Sequence, residues 1–398
     1  MSFDPATRRL TDADWLARPQ VQQLLGLLDG EAGRTRAVGG IVRDTILDRP
    51  RAEADIDLAT ELLPNEVMAR AEDAGVSAYP TGIEHGTVTL RLDGQLAEVT
   101  TLREDVDTDG RHAVVSYGTD WAGDAARRDF TLNALYVGMD GTLFDPLGGL
   151  ADCLAGRVRF IGDAARRIEE DRLRVYRFFR FSASHGSESF DAEGLAACAA
   201  AAGRLQTISA ERVGAEMKRM LALRRVAVTL KAMAGAGILP IRPETIARLH
   251  AYERRARLPN LAARLALIIA DTGASPLKQA WRLSNEDIDA AESILAVAGF
   301  IRDFRLNEAA YRHPAVLADG IEVAAALAGW TDAGKSAIIE QLRGLDVPRF
   351  PIGGNDLIAH GLVPGKALGS ELERLEQLWV ASGFALTRDQ LLAEAARA

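Results

Sequence analysis

Cysteine is almost absent: Cys153 and Cys198 are the only two in 398 residues, far apart and without a Cys or His neighbour at metal-ligand spacing. That excludes a disulfide framework and a thiolate zinc site, and leaves two small buried or reduced thiols as the expectation. No apolar run approaches the roughly 20 residues that cross a bilayer, so no membrane partner is expected. The N-terminal stretch MSFDPATRRLTDADWL carries acids and lacks the apolar core of a secretory signal, which points to the cytoplasm. No histidine is followed by aspartate, so the His-Asp pair of a metal phosphohydrolase domain is missing. Positive charge is also short. The 47 Lys and Arg stand against 56 Asp and Glu, a net charge of −9, which excludes a protein that coats nucleic acid nonspecifically but not a local basic groove.

What is present is the apolar and charged balance of a globular chain, long enough for two or three packed units. Up to about residue 150, short β-branched runs alternate with turns: RTRAVGGIV, ADIDLAT, GTVTLRL, QLAEVTTL, TLNALYVG and TLFDPLGG. Helices are expected at 41–48 and 64–75, making this part α+β. After Gly162 the strand signals fade, and Ala, Leu, Arg and Glu recur at helical spacing to the C-terminus.

Three constellations carry chemistry. In VGGIVRDTIL, Gly39 and Gly40 let phosphate oxygens approach backbone N–H groups where a helix begins, and Arg43 adds a cation one turn on. ADIDLAT follows, and strand alternation turns Asp55 and Asp57 to one face, where two carboxylates can grip the Mg²⁺ ions that phosphoryl transfer uses. Glu98 in LAEVTTLR is the candidate third carboxylate on a neighbouring strand, or else a solvent-facing acid. In AARRDFTLNAL, Arg128 could bind triphosphate, and Asp129 with Asn133, one turn apart if the stretch is helical, could orient a sugar. Taken alone, this group reads as a surface salt-bridge cluster. In IEEDRLRVYRFFRFSA, Asp171, Arg174, Arg177 and Arg180 recur every third residue on an expected helix, as a spiralling cationic stripe beside a buried aromatic side.

As an ordered set, GG-x-VRD, D-x-D-LAT, GIEHGTVTL, EVTTLR, RRDFTLNAL, DPLGG, EEDRLRVYRFFRF and ISAERVGAEMKRML, over roughly 36–222, resemble the class II nucleotidyltransferase family of bacterial CCA-adding enzymes and poly(A) polymerases. The resemblance implies an α+β nucleotidyltransferase head with a mixed sheet over 1–155, an all-α neck over 156–225, and a helical body and tail over 226–398 that binds tRNA. It also implies template-independent addition of CMP and AMP from CTP and ATP to the tRNA 3′ end. Asp55 and Asp57 would hold the metals, and Gly40, Arg43 and Arg128 would contact phosphates or sugar. Asp171, Arg174, Arg177 and Arg180 would line the nucleobase pocket. Residues 103–124 would be a flexible loop that helps the change from CTP to ATP, and 208–221 would buttress the base-binding helix. The spacer DRPRAEA between Arg43 and Asp55 is longer than usual, and Arg172 stands where a small residue or proline is frequent. Within the same family, poly(A) polymerase or C-only or A-only addition is the alternative; an inactive RNA-binding module is the non-enzymatic one.

Overall fold

The computed structural model describes residues 5–49, 55–105 and 115–395. The chain divides into two compact units, Met1–Thr207 with Ala236–Ile238, and Ile208–Gly235 with Leu239–Ala398.

The first unit is built on a seven-stranded mixed sheet in the order β3-β4-β5-β2-β1-β8-β9. The strands are β1 Thr35–Val38, β2 Ile56–Thr60, β3 Ser77–Gly82, β4 Thr87–Leu92, β5 Gln95–Thr101, β8 Tyr136–Val137 and β9 Leu143–Phe144. β2 and β5 run parallel, and every other neighbouring pair is antiparallel. β6 Arg103–Asp105 and β7 Val115–Tyr117 pair as a separate ribbon. Each expected strand segment contributes to the sheet, but β3 has no alternating signal because its sequence is SAYPTG. Pro80 lacks an N–H, and β3 accommodates it as an edge strand with a bulge between Tyr79 and Gly82.

Among the described residues of the first unit, nine helices accompany the sheet: α1 Pro5–Thr11, α2 Pro19–Leu27, α3 Gly40–Ile46, α4 Pro64–Asp73, α5 Trp121–Ala126, α6 Gly149–Ala155, α7 Ala164–Glu170, α8 Arg174–Ser184 and α9 Ala192–Ala201. The expected loop at 103–124 is thus regular at both described ends, with the β6–β7 ribbon and α5, and its 106–114 portion lies outside the described residues. So does most of the DRPRAEA spacer, 50–54.

α8 buries the aromatic side expected of it. Phe178 and Phe179 are fully enclosed, Phe178 stacks on Phe160 at 5.5 Å, and Phe181 meets Phe130 edge-on at 5.5 Å. The helix starts later than the residue spacing suggests. α7 stops at Glu170, Asp171 is extended at φ −148°, and α8 begins at Arg174, so Asp171 is not on the helix that carries the arginines.

The second unit is helical from Ala210–Leu221 to Arg388–Glu394, with no strand among its described residues. Its buried cation Arg264 pairs with Glu253 at 2.8 Å and donates to the carbonyls of Leu221 and Arg224. Glu253 also accepts the N–H groups of Val226 and Ala227 at the start of the helix Ala227–Gly235, so one ion pair fastens four helical segments. Glu211 pairs with Arg282 at 3.1 Å. Among the described residues no helix is long and apolar enough to cross a membrane.

One close approach in the first unit bears directly on the site below. A Cβ at Gly149, the first residue of α6, would lie inside van der Waals contact of the Thr131 carbonyl and 2.8 Å from its carbon. Gly149→Ala should therefore push the 131–133 backbone away from α6 and cost about 1–3 kcal/mol of stability; thermal melting checks this, and an unchanged midpoint would show that the backbone gives way freely.

Candidate active site

The acids sit where the parallel pairing puts them. Ile56 and Leu58 turn into the core, leaving Asp57 exposed, with Asp55 two residues before it also exposed. Asp57 lies directly opposite Glu98 on β5, where Ala97 and Val99 point inward and Glu98 outward. Asp57 and Glu98 therefore share one open face of adjacent strands. Gly39 closes this corner: its backbone is in the left-handed region at φ 78°, and a Cβ there would stand 3.8 Å from Asp57 Oδ2. Oxygen donors of this kind suit a hard divalent cation such as Mg²⁺. Among the described residues, no three His, Cys, Asp or Glu are gathered closely enough to hold a metal. The donors thus fit by chemistry and placement, as an open face and not a closed cage.

Behind this face the second constellation departs from expectation. Residues 127–133 are not a helical turn: the chain bends after α5, bridges Phe130 to Phe160, and makes a short 3₁₀ turn at Thr131–Asn133. Nor is the group a surface cluster, since Asp129 and Asn133 are both buried. Arg128 does not stand open. Its Nε donates to Asp124 Oδ2 at 3.2 Å and to the Tyr136 hydroxyl at 3.0 Å, and that hydroxyl donates to Asp124 at 2.7 Å. Arg127 pairs with the same carboxylate. Burial pushes the Asp124 carboxyl up, but Arg128, Arg127 and the Tyr136 hydroxyl together hold it below the usual range.

Asp129 is the centre of a second network. Its Oδ2 accepts from Arg177 Nε at 2.7 Å, and its Oδ1 accepts from Phe130 N–H and from Asn133 Nδ2 at 3.1 Å. Asn133 Oδ1 in turn accepts from Arg43 Nη1 at 2.6 Å. Arg43 is buried and binds its neighbour Asp44 through Nε at 2.9 Å, and Asp44 Oδ1 lies 3.2 Å from His185 Nε2. The guanidinium of Arg43, the cation assigned to phosphate or sugar contact, is buried beneath the glycine loop, 3.8 Å from where a Gly40 Cβ would be.

The third constellation is dispersed in role. Arg174 donates to the carbonyls of Arg167 at 2.9 Å and Arg127 at 3.2 Å and pairs with Glu170, which anchors the start of α8 to the bend after α5. Asp171 caps the intervening turn, accepting from Leu173 N–H, while its carbonyl accepts from Arg174 N–H at 3.0 Å. Arg180 lies over the Phe181 ring at 4.2 Å. Arg172 donates to Thr207 and Glu169. The residues not foreseen are Asp44, Asp124, Tyr136 and His185. Asp44 and Asp124 were legible as acids beside arginines; Tyr136 and His185 carry no local signal.

The Asp129 carboxyl is raised by burial but held low overall by Arg177, the Asn133 amide and the Phe130 N–H. A carboxylate whose folded pKa lies below its unfolded value of about 3.9 stabilises the fold fully above that pH and loses the contribution as pH falls through the folded value. Asp129→Asn should therefore be less stable than the parent at pH 6, with the gap closing below about pH 4. Urea melts across that range check it; a gap independent of pH would contradict the charged state.

Residues 35–159 match the family described as the Poly A polymerase head domain, and 189–248 match one described as a probable RNA and SrmB-binding site of polymerase A. The chain is 32% identical over 397 residues to CCA tRNA nucleotidyltransferase 1, mitochondrial, of Danio rerio, covering 90% of this chain and 86% of that one. It is 37% identical over 297 residues to the CCA-adding enzyme of Geobacillus thermodenitrificans, covering 70% of each. The crystal structure of the Bacillus stearothermophilus CCA-adding enzyme in complex with CTP superposes with a TM-score of 0.75 at 27% identity, over 95% of this chain and 97% of that one. With likeness of this degree running through head and helical parts alike, the chain belongs to the family of CCA-adding tRNA nucleotidyltransferases.

Proposed function

We propose that this protein adds CMP and AMP from CTP and ATP to the 3′ end of tRNA, completing the CCA terminus without a template. The observation that carries the reading is the acidic face of Asp57 and Glu98 beside the Gly39–Gly40 loop, in a chain whose relatives over most of its length bear that activity in their names. In the reaction the tRNA 3′ oxygen forms a bond to the α-phosphorus as the bond to pyrophosphate breaks. Asp55 and Asp57, with Glu98 as the neighbouring acid, would hold Mg²⁺, which when bound supplies positive charge to the reacting oxygens. Gly39 and Gly40 present backbone without side chains to the phosphates, Arg43 adds positive potential from beneath, and Arg128 reaches phosphate or sugar from its Asp124–Tyr136 mooring. Asp129 and Asn133 would orient the ribose, and Asp171, Arg174, Arg177 and Arg180 would frame the base.

The working division is a catalytic head over 1–155, a base-binding neck over 156–225, and a body and tail over 226–398 for the tRNA. We place the reaction in the cytoplasm, where Cys153 and Cys198, both buried and unpaired, would stay reduced. Poly(A) synthesis within the same family is the second reading; the acidic-to-neutral stretch NEVMARAEDAGVSAYPTGIEHGTVTL, where some poly(A) polymerases of this type carry basic residues, disfavours it.

Asp55→Ala or Asp57→Ala should lower incorporation of both CTP and ATP by more than about a hundredfold while leaving tRNA binding within about twofold. Radiolabelled-nucleotide incorporation with parallel tRNA titration checks this, and near-normal turnover in either variant would contradict the metal assignment. The base frame has its own test. Cytosine and adenine both offer an exocyclic amine beside a ring-nitrogen acceptor, which a carboxylate and a guanidinium match, whereas uracil and guanine oppose them. Exchanging the pair, Asp171→Arg with Arg174→Asp, should weaken CTP and ATP use and produce measurable UTP and GTP incorporation. A folded double variant that keeps the parent's preference would place base selection elsewhere.

A further inference from the structure

We propose that His185 is a positioning residue for the nucleotide: it closes a belt of six side chains that holds α8 against the glycine loop. The belt runs Arg177–Asp129–Asn133–Arg43–Asp44–His185, with hydrogen bonds of 2.7, 3.1, 2.6, 2.9 and 3.2 Å between successive members. Both ends are on α8 and its C-terminal cap, eight positions apart, about 12 Å along the axis. The middle passes through the 3₁₀ turn and through α3, whose first residue is Gly40. The inference rests on the reading that the Gly39–Gly40 loop and the α8 arginines flank the bound nucleotide.

The chemistry of His185 suits a latch. Its Nδ1 is 2.6 Å from the Ser184 hydroxyl, and Nε2 faces Asp44, which can only accept, so Nε2 carries the proton and Nδ1 accepts from Ser184. Burial, together with the cations Arg43 and Arg49, keeps the imidazole below its usual pKa although Asp44 pulls the other way, so the latch is a neutral donor. Its ring packs 5.7 Å from Phe181, and Arg43, Arg177 and Arg180 lie over the same phenyl ring at 5.2, 5.4 and 4.2 Å. The belt thus encloses a buried apolar post. Removing the His185 donor leaves Asp44 with Arg43 as its remaining partner in the belt and frees α3, with its glycine loop, to shift relative to α8.

The consequence is read in nucleotide KM. His185→Leu should raise KM for CTP and for ATP by about tenfold, the effect of one lost hydrogen bond to a charged group, with tRNA KM within about twofold of the parent. His185→Gln, which can reach Asp44 with an N–H, should restore nucleotide KM to within about threefold; His185→Asn, too short to reach, should behave like His185→Leu and replaces it if that variant does not fold. A double-mutant cycle with Asn133→Ala gives the distinguishing result. Distant residues without a shared network add, whereas two links of one belt do not, so the double variant should be little worse than the worse single one. Unchanged nucleotide KM in a folded His185→Leu or His185→Asn, or additive effects in the cycle, would overturn the proposal while leaving the functional reading intact. A parent that incorporates neither CTP nor ATP would overturn both.

Discussion

Asp129 carries its charge inside the first unit, and a buried carboxylate is tolerable only where donors and cations replace the water it has lost. Arg177, Asn133 and the Phe130 N–H provide that replacement, and in doing so they bind three elements that are distant in sequence: the 3₁₀ turn, α8 and, through Arg43, the helix after the glycine loop. Asp124 does the same for a second group, drawing Arg127, Arg128 and Tyr136 together. Several of the arginines that would serve a polyphosphate are therefore aimed before any ligand arrives. In the proposed reaction, pre-aiming would give them catalytic value, because a guanidinium already fixed in a low-dielectric setting needs no reorganisation as charge develops.

This arrangement divides labour between two kinds of acid. Asp124, Asp129 and Asp44 are buried and spend their charge on arginines of the same chain. Asp55, Asp57 and Glu98 are exposed on the sheet face. The strand pairing enforces the difference: Ile56, Leu58, Ala97 and Val99 fill the core, so the intervening acids have no choice but to face outward. The pleat thus turns Asp57 and Glu98 outward, whereas the acids that hold the scaffold lie off the sheet, on α3, on α5 and in the bend after α5.

Much of the outline was legible. Alternation in ADIDLAT and QLAEVTTL revealed both strands and the outward acids, and the aromatic side of α8 was visible in RVYRFFRF. Other features escaped for physical reasons. β3 contains Pro80 and has an exposed edge, so it needs no alternating pattern. The every-third-residue spacing from Asp171 suggested one helix, because a turn with an i to i+3 hydrogen bond keeps the same rhythm across the break. AARRDFTLNAL has helical composition, yet Phe130 is drawn into the bridge with Phe160 and the helix ends. His185 was invisible in the chain because its meaning depends on Asp44, 141 positions away.

The function proposed for this protein is extension of tRNA by a defined three-nucleotide end, on an acidic face backed by pre-aimed arginines. It is tested most directly by sequencing the products made from tRNA that lacks its 3′ terminus, with CTP and ATP supplied separately and together. Addition of C residues with CTP alone, and termination at CCA when both are present, is the expected result. A run of A residues, addition restricted to a single nucleotide type, or no extension at all would contradict it.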